Sequence, residues 1–388
     1  MAKSQRQAFR HEQMIDYVTA FLEDSWHAKR IASLASCALG VMHAAALGVA
    51  AIGKGMAQAL GLDPKHSIKQ VDRFLSNQGI DLESFFEAWV PHILAQREEA
   101  VVALDWTEFD ADDQSTLAIH LVTRHGRATP LMWKTVAKTS LKGNRTRIET
   151  ELLASLHVII GDSVHLTVLA DRGFGSTPLY DAHQSANFSF VIRFKGNIEV
   201  TDNHGETRKA ADWLHKTGRA RILRNVYVTG KHVPIPAVVC VRARGMKEPW
   251  FLACGGAAAE KTAQQLVKLY GRRFSIEEGF RDTKDMRFGM GLSASRIGAP
   301  ARRDRILMLS AIAVCLLTLL GAAGENLGHD RLLKANTSKK RTHSLFTQGR
   351  YYYGAIPTMK EDRLKELAAE FGRLLEEHVV FSQIFGTL

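Results

Sequence analysis

Cysteine is scarce in this sequence. Four occur in 388 residues, Cys37, Cys240, Cys254 and Cys315, and none sits in a C-x-x-C pair. That argues against a disulfide framework and leaves buried free thiols in a reducing cytoplasm. The first residues, MAKSQRQAFRHEQ, lack the apolar stretch of a secretory signal, so a cytoplasmic location is expected. Acids are in deficit as well: 40 Asp and Glu stand against 51 Lys and Arg, a formal charge of +11. Such an excess points to a polyanionic partner, with nucleic acid ahead of a membrane surface. Long uncharged runs are confined to residues 31–53 and 306–324. The second meets the length of a membrane span. It also carries Ser310, Cys315 and Thr318 and ends in small residues, as a helix buried in a large core does. No membrane span is expected.

What is present reads first as helix. Residues 7–26 are amphipathic, the Ala-rich run from 31 follows, and the pattern breaks at Gly61-Leu62-Asp63-Pro64. Ser67 is placed to cap a helix whose inward residues are Ile68, Val71, Phe74 and Leu75. Its other faces carry Lys65, Lys69 and Arg73, which suits the second helix of a helix-turn-helix. Residues 82–98 supply a further helix, bent near Pro91.

At residue 100 the pattern changes to strands. The run 100–104 ends in Asp105, and strands at 115–122 and 130–136 follow with short turns, forming a meander. A helix over 146–160 leads to a strand at 164–170 that ends in Asp171, then a helix at 177–185 and a strand at 188–194. This order predicts a mixed sheet with helices packed on it. If the fourth strand lies parallel beside the first, Asp105 and Asp171 emerge at one edge. Two carboxylates that close repel unless a divalent cation neutralises them. Residues 199–256 then interrupt the order with a hairpin at 221–228 and 233–241 and a strand at 250–254. Pro234 and Pro236 predict an edge position for the second hairpin strand. A buried helix is expected over 301–324, a basic loop over 334–350, and an amphipathic helix over 361–380. The apolar stripe of that last helix must pack on the body of the chain or on a partner subunit.

Residues 269–284, LYGRRFSIEEGFRDTK, read as one helix that places Tyr270, Arg273, Glu277 and Lys284 within about 60° of one another. Alone, the stripe is a surface carrying an Arg273–Glu277 pair at i,i+4. Set beside two strand-end aspartates it becomes a third carboxylate flanked by cations. Three carboxylates suit two divalent ions about 3.5–4 Å apart.

These residues carry a resemblance. Tyr270, Arg273, Glu277 and Lys284 fit the Y-(2)-R-(3)-E-(6)-K signature of the IS4 family of DDE transposases, encoded by insertion sequences. The segments around Asp105 (LDWT) and Asp171 (ADRGF) resemble that family's two aspartate motifs. The resemblance spans roughly residues 65–350. It implies an α/β fold: an RNase H-like mixed-sheet catalytic core over 96–330, with a β-rich insertion at about 199–256. A helical DNA-binding region over 1–95 and a C-terminal helical region over 331–388, which would help pair two subunits, flank that core. It further implies that Asp105, Asp171 and Glu277 hold two Mg²⁺ ions, with Mn²⁺ as a substitute, and that Tyr270, Arg273 and Lys284 contact phosphates. Trp250 resembles a base-stacking Trp on the insertion, although a strand Trp serves equally as core. The implied partners are DNA, as terminal repeats and target, and a second copy of the chain in a synaptic complex at the bacterial nucleoid. The implied reaction frees a 3′-OH at the transposon end, passes through a hairpin and joins the end to target DNA. A nuclease or resolvase of the same fold that only hydrolyses, and a DNA-binding descendant of a transposase, are the alternatives.

Overall fold

A computed structural model describes residues 11–376, apart from 96 and 124. Helices come first: α1 (His11–Leu22), α2 (Ala28–Ala44), α3 (Val49–Leu60), α4 (Pro64–Ser76) and α5 (Leu82–Leu94). The apolar run at 31–53 is not one helix. It breaks at Ala45, which adopts a positive φ of 47°, and α2 and α3 meet at 98°. Helix α4 starts earlier than expected. Its cap is Asp63, whose carboxylate accepts from the His66 amide at 2.9 Å, with Pro64 as the first helical residue. Ser67 lies buried one turn in and caps nothing. Helix α5 contains Pro91 and ends at Leu94, short of residue 98.

The strands then build one sheet. A meander of β1 (Glu99–Phe109), β2 (Gln114–Val122) and β3 (Ala128–Ala137) pairs antiparallel. Helix α6 (Arg145–Ile160) leads to β4 (His165–Ala170), parallel to β1, and α7 (Thr177–Ser185) leads to β5 (Ser189–Arg193), parallel to β4. The expected insertion extends this sheet. It supplies β6 (Glu199–Thr201), β7 (Thr207–Lys209), β8 (Arg221–Val228), β9 (Val233–Val241) and β10 (Trp250–Gly255). The full order is β3-β2-β1-β4-β5-β10-β9-β8-β6-β7. An antiparallel meander whose first strand continues through two helical crossovers into parallel neighbours is the RNase H-like arrangement.

Strand β9 is internal, between β10 and β8, against the edge position that its prolines suggest. The resolution lies in the register. Strand β10 pairs only residues 237–241 of β9, so Pro234 and Pro236 fall in the half that β8 alone borders.

Alternation along β1 assigns its two faces. Val102, Leu104 and Trp106 join the large core, where the Trp106 indole donates to Glu149 of α6 at 2.7 Å. Ala103 joins a second cluster under α8 (Ala263–Gly271) and α9 (Ser275–Lys284).

Helix α10 (Pro300–Asn326) is long and apolar enough to cross a membrane, yet 89% of its most apolar window is buried inside the fold. It packs against α2, β3, α11 (Leu345–Ala355) and α12 (Glu361–Glu376). Helix α11 replaces the end of the expected loop at 334–350. Its contact depends on missing side chains: a Cβ at Gly321 or Gly349 would fall within 1.9 Å of the facing backbone carbonyl. The stripe of α12 that sequence left open, Leu367, Phe371 and Leu374, is buried, and α12 packs on α10 of the same chain. Residues 377–380 of the expected helix lie outside the described residues. All four cysteines are free and buried.

One buried acid on α10 has a measurable consequence. Asp304 accepts from the Thr135 amide at 3.0 Å, and burial pushes its carboxyl up to about 7. An acid whose folded pKa exceeds its unfolded value stabilises the fold at low pH, and that contribution is lost as pH rises through the folded value. Asp304→Asn is therefore expected to gain stability relative to the parent between pH 5 and pH 8, on the order of a few kcal/mol. Chemical denaturation at both pH values checks it; a pH-independent difference would contradict the assignment.

Candidate active site

Register brings the two aspartates together. Leu104 pairs with Ala170 across the parallel strands, so Asp105 and Asp171 follow at the same level. Asp105 is not at a strand end as expected. Strand β1 continues to Phe109 because β2 goes on pairing it, Asp105 opposite Ala118, whereas β4 stops at Ala170. Asp105 is thus open on the β4 side only. By alternation it faces the same way as Ala103, toward α8 and α9.

The segment 269–284 that covers this face is not one helix. Helix α8, started by a Thr262–Gln265 capping box, and α9 are joined by a 3-10 turn at Arg272–Phe274. Gly271 at the end of α8 and the looser turn geometry allow the change of pitch. The stripe nevertheless converges. The Tyr270 hydroxyl donates to Asp171 at 3.3 Å. Arg273 donates through Nη1 to Asp105 Oδ2 at 3.1 Å and through Nη2 to Glu277 Oε1 at 2.6 Å. Lys284 lies farther along β1, donating to the Thr107 hydroxyl at 2.9 Å and to the Glu108 carbonyl at 2.5 Å. The spacing therefore describes one continuous site, held at three levels of the sheet.

Its electrostatics are those of crowded acids. Asp105 is pushed up to about 6, chiefly by burial, with Asp171 and Glu277 adding to the rise and Arg273 and the Trp106 amide pulling against it. Burial alone would lower Arg273, but the Asp105, Asp171 and Glu277 carboxylates contribute to holding it above the ordinary arginine range. Burial lowers Lys284. Oxygen donors of this kind suit a hard divalent cation in type and charge. Among the described residues, however, no three acid, histidine or cysteine side chains converge closely enough to hold one. The positive charge between Asp105 and Glu277 is the Arg273 guanidinium.

Two neighbours were not singled out from sequence. Arg193, at the end of β5, reaches Asp171 at 3.8 Å and Glu248 at 2.6 Å. The pairing of Ala170 with Ile192 places it there, so the strand-end position was the available signal. Phe274 is 45% exposed. Its ring lies 6.3 Å from Trp250 and 4.9 Å from the Arg273 guanidinium. Trp250 itself is half-buried, its ring edge-on to Tyr270 at 4.9 Å.

Away from the acids lies a groove of about 900 Å³ between α2 and α4, with Lys29, Arg30, His66, Lys69 and Arg73 in its lining and no carboxylate. Lys69 and Arg73 are two of the cations expected on α4; Lys65 is exposed on the same helix but outside the lining. The acids of α4 and its cap are engaged elsewhere: Asp63 caps the helix and Asp72 binds Arg302 at 2.7 Å. Among the described residues Lys29, Arg30, Lys69 and Arg73 have no carboxylate partner, and the Asp63 carboxylate lies 3.6 Å from the His66 ring.

No curated protein matches the chain. A sequence model of the transposase DDE domain matches residues 96–316, from the residue before the segment leading into β1 to the middle of α10. The matched segment contains Asp105, Asp171 and Glu277 and exceeds half of the 388-residue chain. A match of that extent shows that the chain belongs to the DDE transposase family.

Proposed function

We propose that this chain is a cut-and-paste DNA transposase of the IS4 family. It cleaves transposon ends and joins the freed 3′-OH ends to target DNA. The observation that carries the reading is the convergence of Asp105 and Glu277 on one guanidinium, with Asp171 alongside, held by Tyr270. Asp105, Asp171 and Glu277 are the residues that would hold divalent ions, Mg²⁺ with Mn²⁺ as a substitute. Bound there, such ions supply charge neutralisation at phosphorus and activation of the attacking and leaving oxygens.

The side chains around the acids divide the remaining work. Arg273 and Lys284 offer positive charge to the phosphate, whose negative charge is most crowded when the attacking oxygen has added and the leaving oxygen has not departed. Tyr270 orients a phosphate oxygen through its hydroxyl. Lys284 is anchored to β1 and therefore fixed relative to Asp105. Trp250, with Phe274 beside it, offers an aromatic surface for an unstacked base. Hydrolysis at the end liberates the 3′-OH. That oxygen then replaces water as nucleophile, first on the opposite strand to give a hairpin and, after reopening, on target DNA. Each joining step exchanges one phosphodiester for another and needs no external energy source.

The helical region 1–95 is proposed as the DNA-binding part, with Lys69 and Arg73 of the α2–α4 groove tracking the phosphate backbone and Lys65 extending the same charged face. Joining two ends at one target calls for two copies of the site, so a homodimer on DNA belongs to the reading. The apolar stripe of α12 packs on α10 of the same chain, so pairing through the C-terminal region would use its other faces.

Three measurements test this. Asp105→Asn, Asp171→Asn and Glu277→Ala are each expected to lose cleavage of an end-containing oligonucleotide by a factor of about 10³ or more while still shifting that DNA in a gel. With the parent protein, a target plasmid and Mg²⁺, joined product is expected; free ends without joined product would favour a nuclease that only hydrolyses. Charge reversal by Lys69→Glu with Arg73→Glu is expected to weaken duplex binding at least tenfold at moderate salt and to flatten its salt dependence, measured by fluorescence anisotropy. Unchanged binding would remove the groove from the DNA path.

A further inference from the structure

Arg273 commits both ends of its guanidinium to carboxylates. Nη1 serves Asp105 at 3.1 Å and Nη2 serves Glu277 at 2.6 Å, and the side chain is only 5% exposed. Its Nε is buried with no hydrogen-bond partner among the described residues. The group is flanked by Phe274, at 4.9 Å from the ring centre, and Tyr270, at 6.0 Å. A cation belonging to the chain therefore stands between two of the acids to which a metal is assigned above. Holding both carboxylates engages Nη1 and Nη2, the two ends of the fork, so a bidentate phosphate contact competes with Asp105 and Glu277 for them.

We infer that Arg273 is a gate: without DNA it closes the acid cluster as an internal counterion, and a DNA phosphate draws it away from Asp105 and Glu277, opening them to a divalent cation. The inference rests on the proposed function. Its physical basis is desolvation. Asp105 is largely buried among other acids, and leaving it without a positive partner is costly, so the cluster keeps one cation or the other. Exchange of Arg273 for a metal conserves that balance only if the displaced guanidinium finds another anion, and the backbone of bound DNA provides it. Arg273 is carried by a short 3-10 turn between α8 and α9, where hydrogen-bond geometry is poorer than in a regular helix. Coupling of this kind is reciprocal: DNA raises metal affinity by the factor by which metal raises DNA affinity.

The test is a Mn²⁺ titration of the full-length protein, with free Mn²⁺ read by electron paramagnetic resonance, alone and with a saturating random-sequence duplex. The parent is expected to bind Mn²⁺ weakly alone and about tenfold more tightly with DNA. Arg273→Ala is expected to bind Mn²⁺ without DNA as tightly as the parent does with it, and to lose the dependence on DNA. Arg193→Gln removes another cation, 3.8 Å from Asp171, and is expected to keep the DNA dependence. An equal gain from both variants would mean simple loss of charge and overturn the gate. So would parent-like Mn²⁺ affinity in Arg273→Ala, or a parent protein indifferent to DNA. If Arg273→Ala does not fold, Arg273→Lys keeps the charge without the fork, and an undiminished DNA dependence there overturns the gate as well. Asp105→Asn and Glu277→Gln separate the two levels. If they leave Mn²⁺ binding intact, the metal reading of the site fails; if they abolish it while Arg273→Ala changes nothing, only the gate fails.

Discussion

The parallel pairing of β1 with β4 is the constraint from which the site follows. Its register, Leu104 opposite Ala170, leaves Asp105 and Asp171 with no choice but to emerge at one level on neighbouring strands. Burial raises the proton affinity of Asp105, and the Asp171 carboxylate beside it adds to the effect. Something positive must answer them from the one face left open, because the opposite face of β1 is sealed by Trp106 against α6. The α8–α9 segment crosses that open face and delivers Arg273 and Glu277 together. The acids are a consequence of strand register; the cation is a consequence of what covers the sheet.

Much of this was legible in the sequence, because local patterns carried it. The meander, the two crossovers and the hairpin at 221–241 appear where alternation and turns put them. Parallel pairing of the first and fourth strands is a condition that the order of elements allows, and the structure meets it. The misses share a cause: each was decided by a partner far away in the chain. Strand β1 outruns Asp105 because β2 pairs residues 106–109. Strand β9 carries two prolines inside a sheet because β10 is too short to reach them. Helix α11 looks like loop because its docking depends on Gly349 meeting the backbone of α10 at Leu317, a contact no local pattern announces.

The basic groove shows the same limit from the functional side. Lys69 and Arg73 stand out on their helix, but Lys29 and Arg30 lie about forty residues earlier in an unremarkable stretch. They become neighbours because the apolar run turns through 98° between α2 and α3, folding the start of α2 back beside α4. A single straight helix over 31–53 would have sent that charge elsewhere. The residue that bends it, Ala45 with a positive φ, has no sequence signature, since glycine or asparagine is the usual occupant of that conformation.

A buried arginine–carboxylate cluster is weak evidence for stability, since desolvating three or four charged groups can cost as much as their attraction returns. A fold could seal this space with apolar side chains, as it does on the other face of β1. Retaining the charges makes sense where the positive partner is exchanged during function, as the proposed gate requires. Arg273 meets the requirement in a way Lys284 does not. Lys284 is tied to a backbone carbonyl and a hydroxyl of β1, contacts that survive whichever cation the acids hold. Arg273 bonds Asp105 and Glu277 between the Tyr270 and Phe274 rings, so its position answers to the charge state of those acids. One cation fixes the frame of the site and the other responds to its contents.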